Sequence, residues 1–71
     1  MKLNEQDIII LNAIKEKKRM LRQEIIDRTG IHPSTIAYRL DLLMAMGYVV
    51  RPSRGLYEIT QEGKEYLWRK S

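Results

Sequence analysis

At residues 22–40 the chain reads RQEIIDRTGIHPSTIAYRL, and this stretch decides the fold. A helix is predicted over residues 22–29, and Gly30 ends it because glycine accepts the left-handed backbone conformation that a tight turn requires. Pro33 suits the first position of a helix, so the next helix begins almost at once and is predicted to run to about Met46. The sequence therefore predicts two consecutive helices joined by a short turn that contains glycine.

Apolar side chains on both predicted helices indicate how the two pack against each other. Ile25 and Ile26 precede the turn. On the second helix Ile36, Leu40 and Leu43 share one face when successive residues are turned by about 100°. Such a set holds the first helix across the second at a fixed angle, which is the physical core of a helix-turn-helix motif.

The opposite face of the second helix carries small and hydrogen-bonding side chains. Ser34, Thr35 and Tyr38 lie on this face, and Arg39 lies at its flank. An ordinary solvated helix face has the same composition. Hydroxyl groups and arginine also read base edges in the major groove of DNA, which is about 12 Å wide. The face alone therefore leaves both interpretations open.

The flanking segments predict one helix before this motif, and a hairpin and a short helix after it. Asn4 and Asp7 fit a capping box at the start of the first helix. Arg19 and Met20 are expected to form only a short connection, and Thr60 can cap the last helix. The fold class is mainly α with a small β-hairpin (α+β), in a single domain of residues 1–71. The predicted elements are helices over residues 5–16, 22–29, 33–46 and 61–70, and strands over residues 48–51 and 56–60.

The positive charge of the chain is concentrated in its middle third. The net charge is +4, and residues 17–39 carry six basic and two acidic side chains. A basic stripe of this kind is the electrostatic footprint expected for a polyanionic partner such as DNA. Many basic domains are merely soluble, so the stripe supports DNA binding without deciding it.

Several other function classes lack the residues that they require. Cysteine is absent and His32 is the only histidine, so no metal site and no cofactor are predicted. No Ser/His/Asp set, carboxylate pair or glycine-rich phosphate loop is found, so the chain is predicted not to be an enzyme, and no small-molecule ligand is evident. The longest apolar run, residues 8–11, is far below the roughly 20 residues of a membrane span. A cytoplasmic location is expected.

Two segments of the chain resemble one known family. TGIHPSTIAYRLDLLMAMGY, residues 29–48, resembles the helix-turn-helix of winged-helix regulators of the MarR and ArsR kind. RGLYEITQEGKEYL, residues 54–67, resembles their wing, and the whole is particularly similar to small archaeal phage-repressor-like winged-helix proteins. The resemblance implies a three-helix core plus a wing and a short C-terminal helix. It also implies a sequence-specific transcriptional regulator of double-stranded DNA, with repression as the expected action.

The resemblance further implies a recognition helix in the major groove and a basic wing on the backbone or minor groove. Where the family often has serine as the cap of the recognition helix this chain has His32, and a lost cap costs about 1 kcal/mol. The His32 side chain is itself expected to be a cap or a phosphate contact rather than a pH switch. The DNA-binding residues that the resemblance implies are Ser34, Thr35, Tyr38 and Arg39 of the recognition helix and Arg51 and Arg54 of the wing. Further candidates for DNA contacts are His32 at the recognition helix, Ser53 of the wing, and Arg19 and Arg22 at the DNA backbone.

The first predicted helix is apolar on almost all sides, which indicates a second contact surface. Part of it, around Ile9 and Ala13, needs cover from the last helix or from another subunit. We therefore expect a homodimer, with Ile9, Ala13 and Trp68 as candidate interface residues, since dimeric regulators read paired half-sites about one helical turn apart. The alternative is a winged-helix protein-interaction module that does not bind DNA. RNA binding is disfavoured because the sequence lacks an aromatic sheet surface that could stack bases.

Overall fold

The computed structural model describes residues 2–70, which form four helices and a three-stranded antiparallel sheet. The predicted mainly helical fold with a wing is confirmed, and each predicted helix ends within one or two residues of the observed one. None of the helices in this part of the chain has the length and apolar character that crossing a membrane requires. The elements are α1 (Glu5–Lys17), β1 (Arg19–Leu21), α2 (Arg22–Thr29), α3 (Pro33–Ala45), β2 (Val49–Ser53), β3 (Leu56–Ile59) and α4 (Gln61–Lys70).

The strand β1 differs from the sequence prediction, which expected only a connection at Arg19 and Met20. β1 pairs antiparallel with β3, so that Met20 lies opposite Tyr57 and the strand order is β1-β3-β2. Met20 is 2% exposed. Three residues are too few to show the alternation that marks a strand, and the partner strand lies far along the chain. The sheet therefore includes the entry to α2 as well as the predicted hairpin.

The helix boundaries follow the capping residues that the sequence shows. The Asn4 side chain accepts a hydrogen bond from the Asp7 N–H (2.9 Å), and the Asp7 carboxylate accepts one from the Asn4 N–H (3.0 Å). Gly30 ends α2 with a φ of +71°, as predicted. At the start of α4 the Thr60 hydroxyl accepts the Gly63 N–H (3.0 Å) and donates to the Gly47 carbonyl (2.7 Å). This last pair ties α4 to the segment that follows α3.

The hydrophobic core brings together the helix-turn-helix and the sheet. Ile36, Leu40 and Leu43 of α3 are fully buried, which confirms the predicted core face of this helix. Tyr38 lies two residues from both Ile36 and Leu40, on the other side of the helix, and is 61% exposed. α3 therefore separates a core face from a solvent face. The other fully buried apolar side chains include those of Ile10, Leu11, Ile14, Ile25 and Tyr57.

One charged side chain lies within this core. Among the described residues Asp7 is the one charged residue that is buried, and it is 0% exposed. Arg39 of α3 reaches it with both ends of its guanidinium: Nε donates to Asp7 Oδ1 (2.7 Å), and Nη2 donates to Asp7 Oδ2. Asp7 also belongs to the capping box of α1. The same carboxylate therefore defines the start of α1 and holds α1 against α3.

The close approach of α4 to the rest of the protein depends on Gly63. A Cβ atom at this position would lie 2.5 Å from the Tyr48 carbonyl oxygen and 2.8 Å from Ile59 Cγ1. Backbone atoms cannot move aside as a flexible side chain can. Glycine at this position therefore lets α4 pack directly against the segment between α3 and β2.

The buried ion pair leads to a prediction about stability. We expect Asp7→Asn to lower the free energy of unfolding by about 3–5 kcal/mol, because the Arg39 charge then stays largely buried without a counter-charge. Asp41→Asn is the matched control, since Asp41 is exposed on α3 and its change should fall within about 0.5 kcal/mol. Urea unfolding followed by circular dichroism measures both. Equal losses in the two variants would contradict the structural role of Asp7.

Candidate nucleic-acid interface

The amino-terminal end of α3 is capped by a histidine. Nδ1 of His32 accepts a hydrogen bond from the Ser34 N–H (3.1 Å), and it also lies 2.8 Å from Ser34 Oγ. Pro33 occupies the first turn of the helix, where its missing N–H costs nothing. The expected loss of a cap therefore does not apply to α3, because the imidazole replaces the serine hydroxyl.

The first two turns of α3 present a polar face to solvent. Ser34 and Tyr38 are exposed, and Thr35 is half-buried. The first turn of the helix contains no acidic residue. Hydroxyl groups can both donate and accept hydrogen bonds, so this face can match the donors and acceptors that base edges display. The arrangement agrees with the predicted rotation of α3, in which this face lies opposite Ile36 and Leu40.

Arg39 does not lie free on this face, because the structure gives this predicted DNA contact an intramolecular partner. Its side chain is only 15% exposed, and both of its hydrogen-bonding edges are directed at Asp7. The hydrogen bond with Asp7 raises the pKa of Arg39 above its ordinary value, although burial acts in the opposite direction. The guanidinium also lies over the Tyr38 ring, 5.7 Å from its centroid. The structure thus gives Arg39 an intramolecular role.

A sequence signal for this role exists on α1. Asp7 lies three, four and seven residues before Ile10, Leu11 and Ile14, the buried face of the helix. A carboxylate on such a face needs a cationic partner. The capping box alone accounted for Asp7 in the sequence, so the requirement for a partner, and hence the loss of Arg39 from the solvent face, was missed.

The wing is a β-hairpin formed by β2 and β3, and β2 packs against α3. Arg51, Ser53 and Arg54 are exposed, and Gly55 completes the turn with a φ of +77°. Within residues 2–70 neither arginine forms an ion pair. The hairpin therefore presents two positive charges, Arg51 on β2 and Arg54 in the turn, that the described part of the protein does not neutralise.

Arg22 connects the wing to α2. Its backbone N–H donates to the Gly55 carbonyl (2.8 Å), and Nη2 donates to the Tyr57 hydroxyl (2.6 Å). The guanidinium also lies 5.6 Å from the centroid of the Tyr57 ring, which is fully buried. Arg22 itself remains exposed, and a guanidinium has five N–H donors. It can therefore hold the wing and still offer donors to a phosphate.

The rest of the basic stripe is mostly paired with acidic side chains. The sequence alone indicates a continuous positive surface over residues 17–39, but the ion pairs remove much of it. Arg19, an expected backbone contact, is one of the paired residues. Arg51 and Arg54 of the wing are thus among the described basic side chains that keep an unpaired charge. The pairs are Lys17–Glu24 (3.3 Å), Arg19–Glu58 (3.5 Å) and Arg28–Glu16.

Glu24 compensates for the missing side-chain cap of α2. Leu21 precedes this helix and has no polar side chain, but its N–H donates to Glu24 Oε1 (3.0 Å). This hydrogen bond, and next the hydrogen bond from Lys17, lowers the pKa of Glu24 below its ordinary value. Because the pKa of Glu24 is lowered in the folded protein, its carboxylate stabilises the fold at pH values above its ordinary pKa. This contribution is lost as the pH falls through the lowered pKa.

The candidate interface residues on α1 and α4 differ in their exposure. Ile9 is 44% exposed and Trp68 is 79% exposed. Ala13 is 6% exposed and belongs to the core of the protomer. The prediction that Ala13 lies at a surface between subunits is therefore corrected, because α1 turns this methyl group inward.

Comparisons with known proteins agree with this geometry. Residues 3–50 match the family model of winged helix-turn-helix DNA-binding proteins. YtzE of Bacillus subtilis, described as an uncharacterized HTH-type transcriptional regulator, is 41% identical over 49 residues, which cover 69% of this chain and 67% of that protein. The protein y4tD of Sinorhizobium fredii has the same description and is 31% identical over 49 residues, covering 69% of this chain and 29% of that protein.

Solved structures share the fold over nearly the whole chain. BpsR of Bordetella bronchiseptica superposes with a TM-score of 0.90 at 18% identity, over 96% of this chain and 52% of that chain. The PhiH1 repressor-like protein of Haloarcula marismortui superposes with a TM-score of 0.81 at 31% identity, over 92% of this chain and 76% of that chain. The chain thus spans about half the length of BpsR and less than a third of y4tD.

Sco5413 of Streptomyces coelicolor, a MarR family transcriptional regulator, superposes with a TM-score of 0.87 at 26% identity, over 94% of this chain and 50% of that chain. Together with the Haloarcula match, it confirms the resemblance to MarR-like regulators and to phage-repressor-like winged-helix proteins that residues 29–48 and 54–67 indicated. Both curated relatives are described as transcriptional regulators, which confirms the prediction of a regulator family and not an enzyme family. The family match covers the helix-turn-helix, and the structural matches extend through the wing and α4. By this sequence match and by its fold, the chain belongs to the winged helix-turn-helix DNA-binding family.

Proposed function

We propose that this protein binds double-stranded DNA at specific sequences and represses transcription by occupying a promoter. One observation carries the proposal: α3 presents a polar face to solvent, and the wing, whose strand β2 packs against α3, carries arginines that have no acidic partner in the described chain. The first feature suits base edges and the second suits phosphates. Together they match the two kinds of contact that a DNA reader needs.

In the proposed complex α3 lies in the major groove. Ser34, Thr35 and Tyr38 face the base edges, and His32 lies at the helix end where phosphates approach. A phosphate near this end is favoured by the partial positive charge of the helix dipole. Arg39 is left out of this contact set because Asp7 occupies it.

The wing and the start of α2 contact the backbone or the minor groove. Arg51, Ser53 and Arg54 are exposed on the hairpin, and Arg22 lies beside its tip. Contacts of this kind fix the position and register of a protein on DNA but carry little sequence information. We therefore assign affinity mainly to the wing and selectivity mainly to α3.

The comparisons support the proposal in two ways. The BpsR structure concerns regulation of that protein's DNA binding by 6-hydroxynicotinic acid, and the Haloarcula protein is described as repressor-like.

Selection of binding sites from random DNA duplexes is the direct test for this chain. Enrichment of a common sequence is the expected result. A failure to enrich any sequence would instead favour a winged-helix module that binds another protein.

The division of α3 into two faces leads to a prediction. We expect Tyr38→Ala to leave the free energy of unfolding nearly unchanged, because the side chain is 61% exposed. It should reduce the difference in binding free energy between specific and random DNA by about 1–3 kcal/mol. Leu40→Ala, on the buried face of the same helix, should instead cost roughly 2–5 kcal/mol of stability. Urea unfolding and fluorescence titrations decide this, and an unfolded Tyr38→Ala variant would contradict the assigned faces.

The wing leads to a separate prediction about salt. We expect Arg54→Ala to weaken operator and random duplexes by similar factors, and to make the slope of log affinity against log salt shallower by about 0.9. Arg28→Ala is the matched control, because it removes the same charge from a side chain paired with Glu16. Its salt slope should stay unchanged. If Arg54→Ala changed the operator affinity alone, the wing would be reading sequence.

We also propose that two copies of the chain associate through α1 and α4, since Ile9 and Trp68 place apolar surface on solvent. Sedimentation velocity is expected to show a dimer at micromolar concentration, and Ile9→Ala combined with Trp68→Ala should weaken it. Val50→Ala is the control, because Val50 is similarly exposed at 47% but lies on the sheet. A wild-type protein that stays monomeric at all concentrations would rule out this interface.

A further inference from the structure

We propose that Arg39 is a positioning residue that sets the sequence selectivity of DNA binding by holding the Tyr38 ring, and that Asp7 fixes Arg39 for this task. The inference rests on the proposed function, since it assigns Tyr38 to the reading face of α3. It gives a role in selectivity to a carboxylate on α1 that is buried in the core.

The first step is the fixed orientation of the guanidinium group. Two separate nitrogens of Arg39 bind two separate oxygens of Asp7, which restrains the plane of the group as well as its position. Asp7 is in turn held by the Asn4 N–H (3.0 Å) and is fully buried. The guanidinium is therefore anchored to the start of α1 and not carried by a mobile side chain.

The second step is the contact between this group and Tyr38. The carbon at the centre of the guanidinium lies 5.7 Å from the ring centroid, within the range of a cation–π interaction. The ring is largely exposed, so core packing does not select one of its rotamers. A cation fixed by Asp7 attracts the ring face toward one orientation before DNA arrives.

The third step connects orientation with selectivity. Ordering a side chain at an interface costs binding free energy, and a side chain that is already oriented avoids part of that cost. The gain applies only where the oriented ring meets a complementary base edge, whereas contacts to phosphates are unaffected. The Arg39–Tyr38 contact should thus raise affinity for the preferred sequence and leave affinity for random DNA unchanged.

The test is Arg39→Lys, alone and combined with Tyr38→Ala. Lysine keeps the positive charge beside Asp7, but it cannot form the planar two-pronged contact. We expect the ratio of specific to random affinity to fall about 2- to 10-fold in Arg39→Lys, with the salt slope and the affinity for random duplexes unchanged. In the Tyr38→Ala background the same substitution should have no further effect on the ratio.

A second variant covers the case in which Arg39→Lys does not fold. Asp7→Asn combined with Arg39→Gln removes both charges together, so no buried charge is left without a partner. The same loss of selectivity is expected. Circular dichroism and urea unfolding establish that each variant is folded before its DNA binding is compared.

A DNA-free measurement separates this inference from the proposed function. Three-bond couplings from NMR should show one χ1 rotamer for Tyr38 in the wild-type protein and rotamer averaging in Arg39→Lys. Averaging in both proteins would overturn the inference, as would an unchanged specificity ratio. An equal loss in the Tyr38→Ala background would show that Arg39 touches DNA directly, which also overturns it. If the wild-type protein selects no sequence, the proposed function fails while the rotamer result still stands.

Discussion

The ion pair between Asp7 and Arg39 is the interaction on which the arrangement of this protein depends. A buried carboxylate must have a partner, because an unpaired charge in the core costs several kcal/mol. Arg39 supplies that partner from α3, and the hydrogen bond to Asn4 places the start of α1 at the same point. The angle of the proposed recognition helix is therefore fixed by a charge on the first helix as well as by apolar packing.

The wing is held by a second polar contact at the opposite end of the motif. Arg22 binds the Gly55 carbonyl through its backbone and the Tyr57 hydroxyl through its side chain. Because Tyr57 belongs to β3 and its side chain is fully buried, these contacts join the start of α2 and the tip of the hairpin into one unit. The proposed backbone contacts at Arg51 and Arg54 thus keep a constant position relative to α3, which a free hairpin could not ensure.

Ion pairs also decide where the positive charge of the protein can act. The sequence concentrates basic residues between positions 17 and 39, yet several of them face acidic partners. Arg51 and Arg54 are exposed without such partners in the part of the chain that the structure describes. The surface that suits a polyanion is therefore smaller than the composition indicates, and it includes the wing.

The sequence by itself determined the helices, the hairpin and the exposed face of α3, because capping residues, Gly30 and the apolar period of α3 are local signals. For His32 it left a cap and a phosphate contact open, and the structure shows the cap. Only the tertiary structure decided β1, the burial of Ala13 and the partner of Arg39. Each of these depends on groups that lie far apart in the chain, such as Asp7 and Arg39, 32 positions apart. Local periodicity specifies which face of a helix is apolar, whereas the pairing of distant strands and charges exists only once the chain has folded.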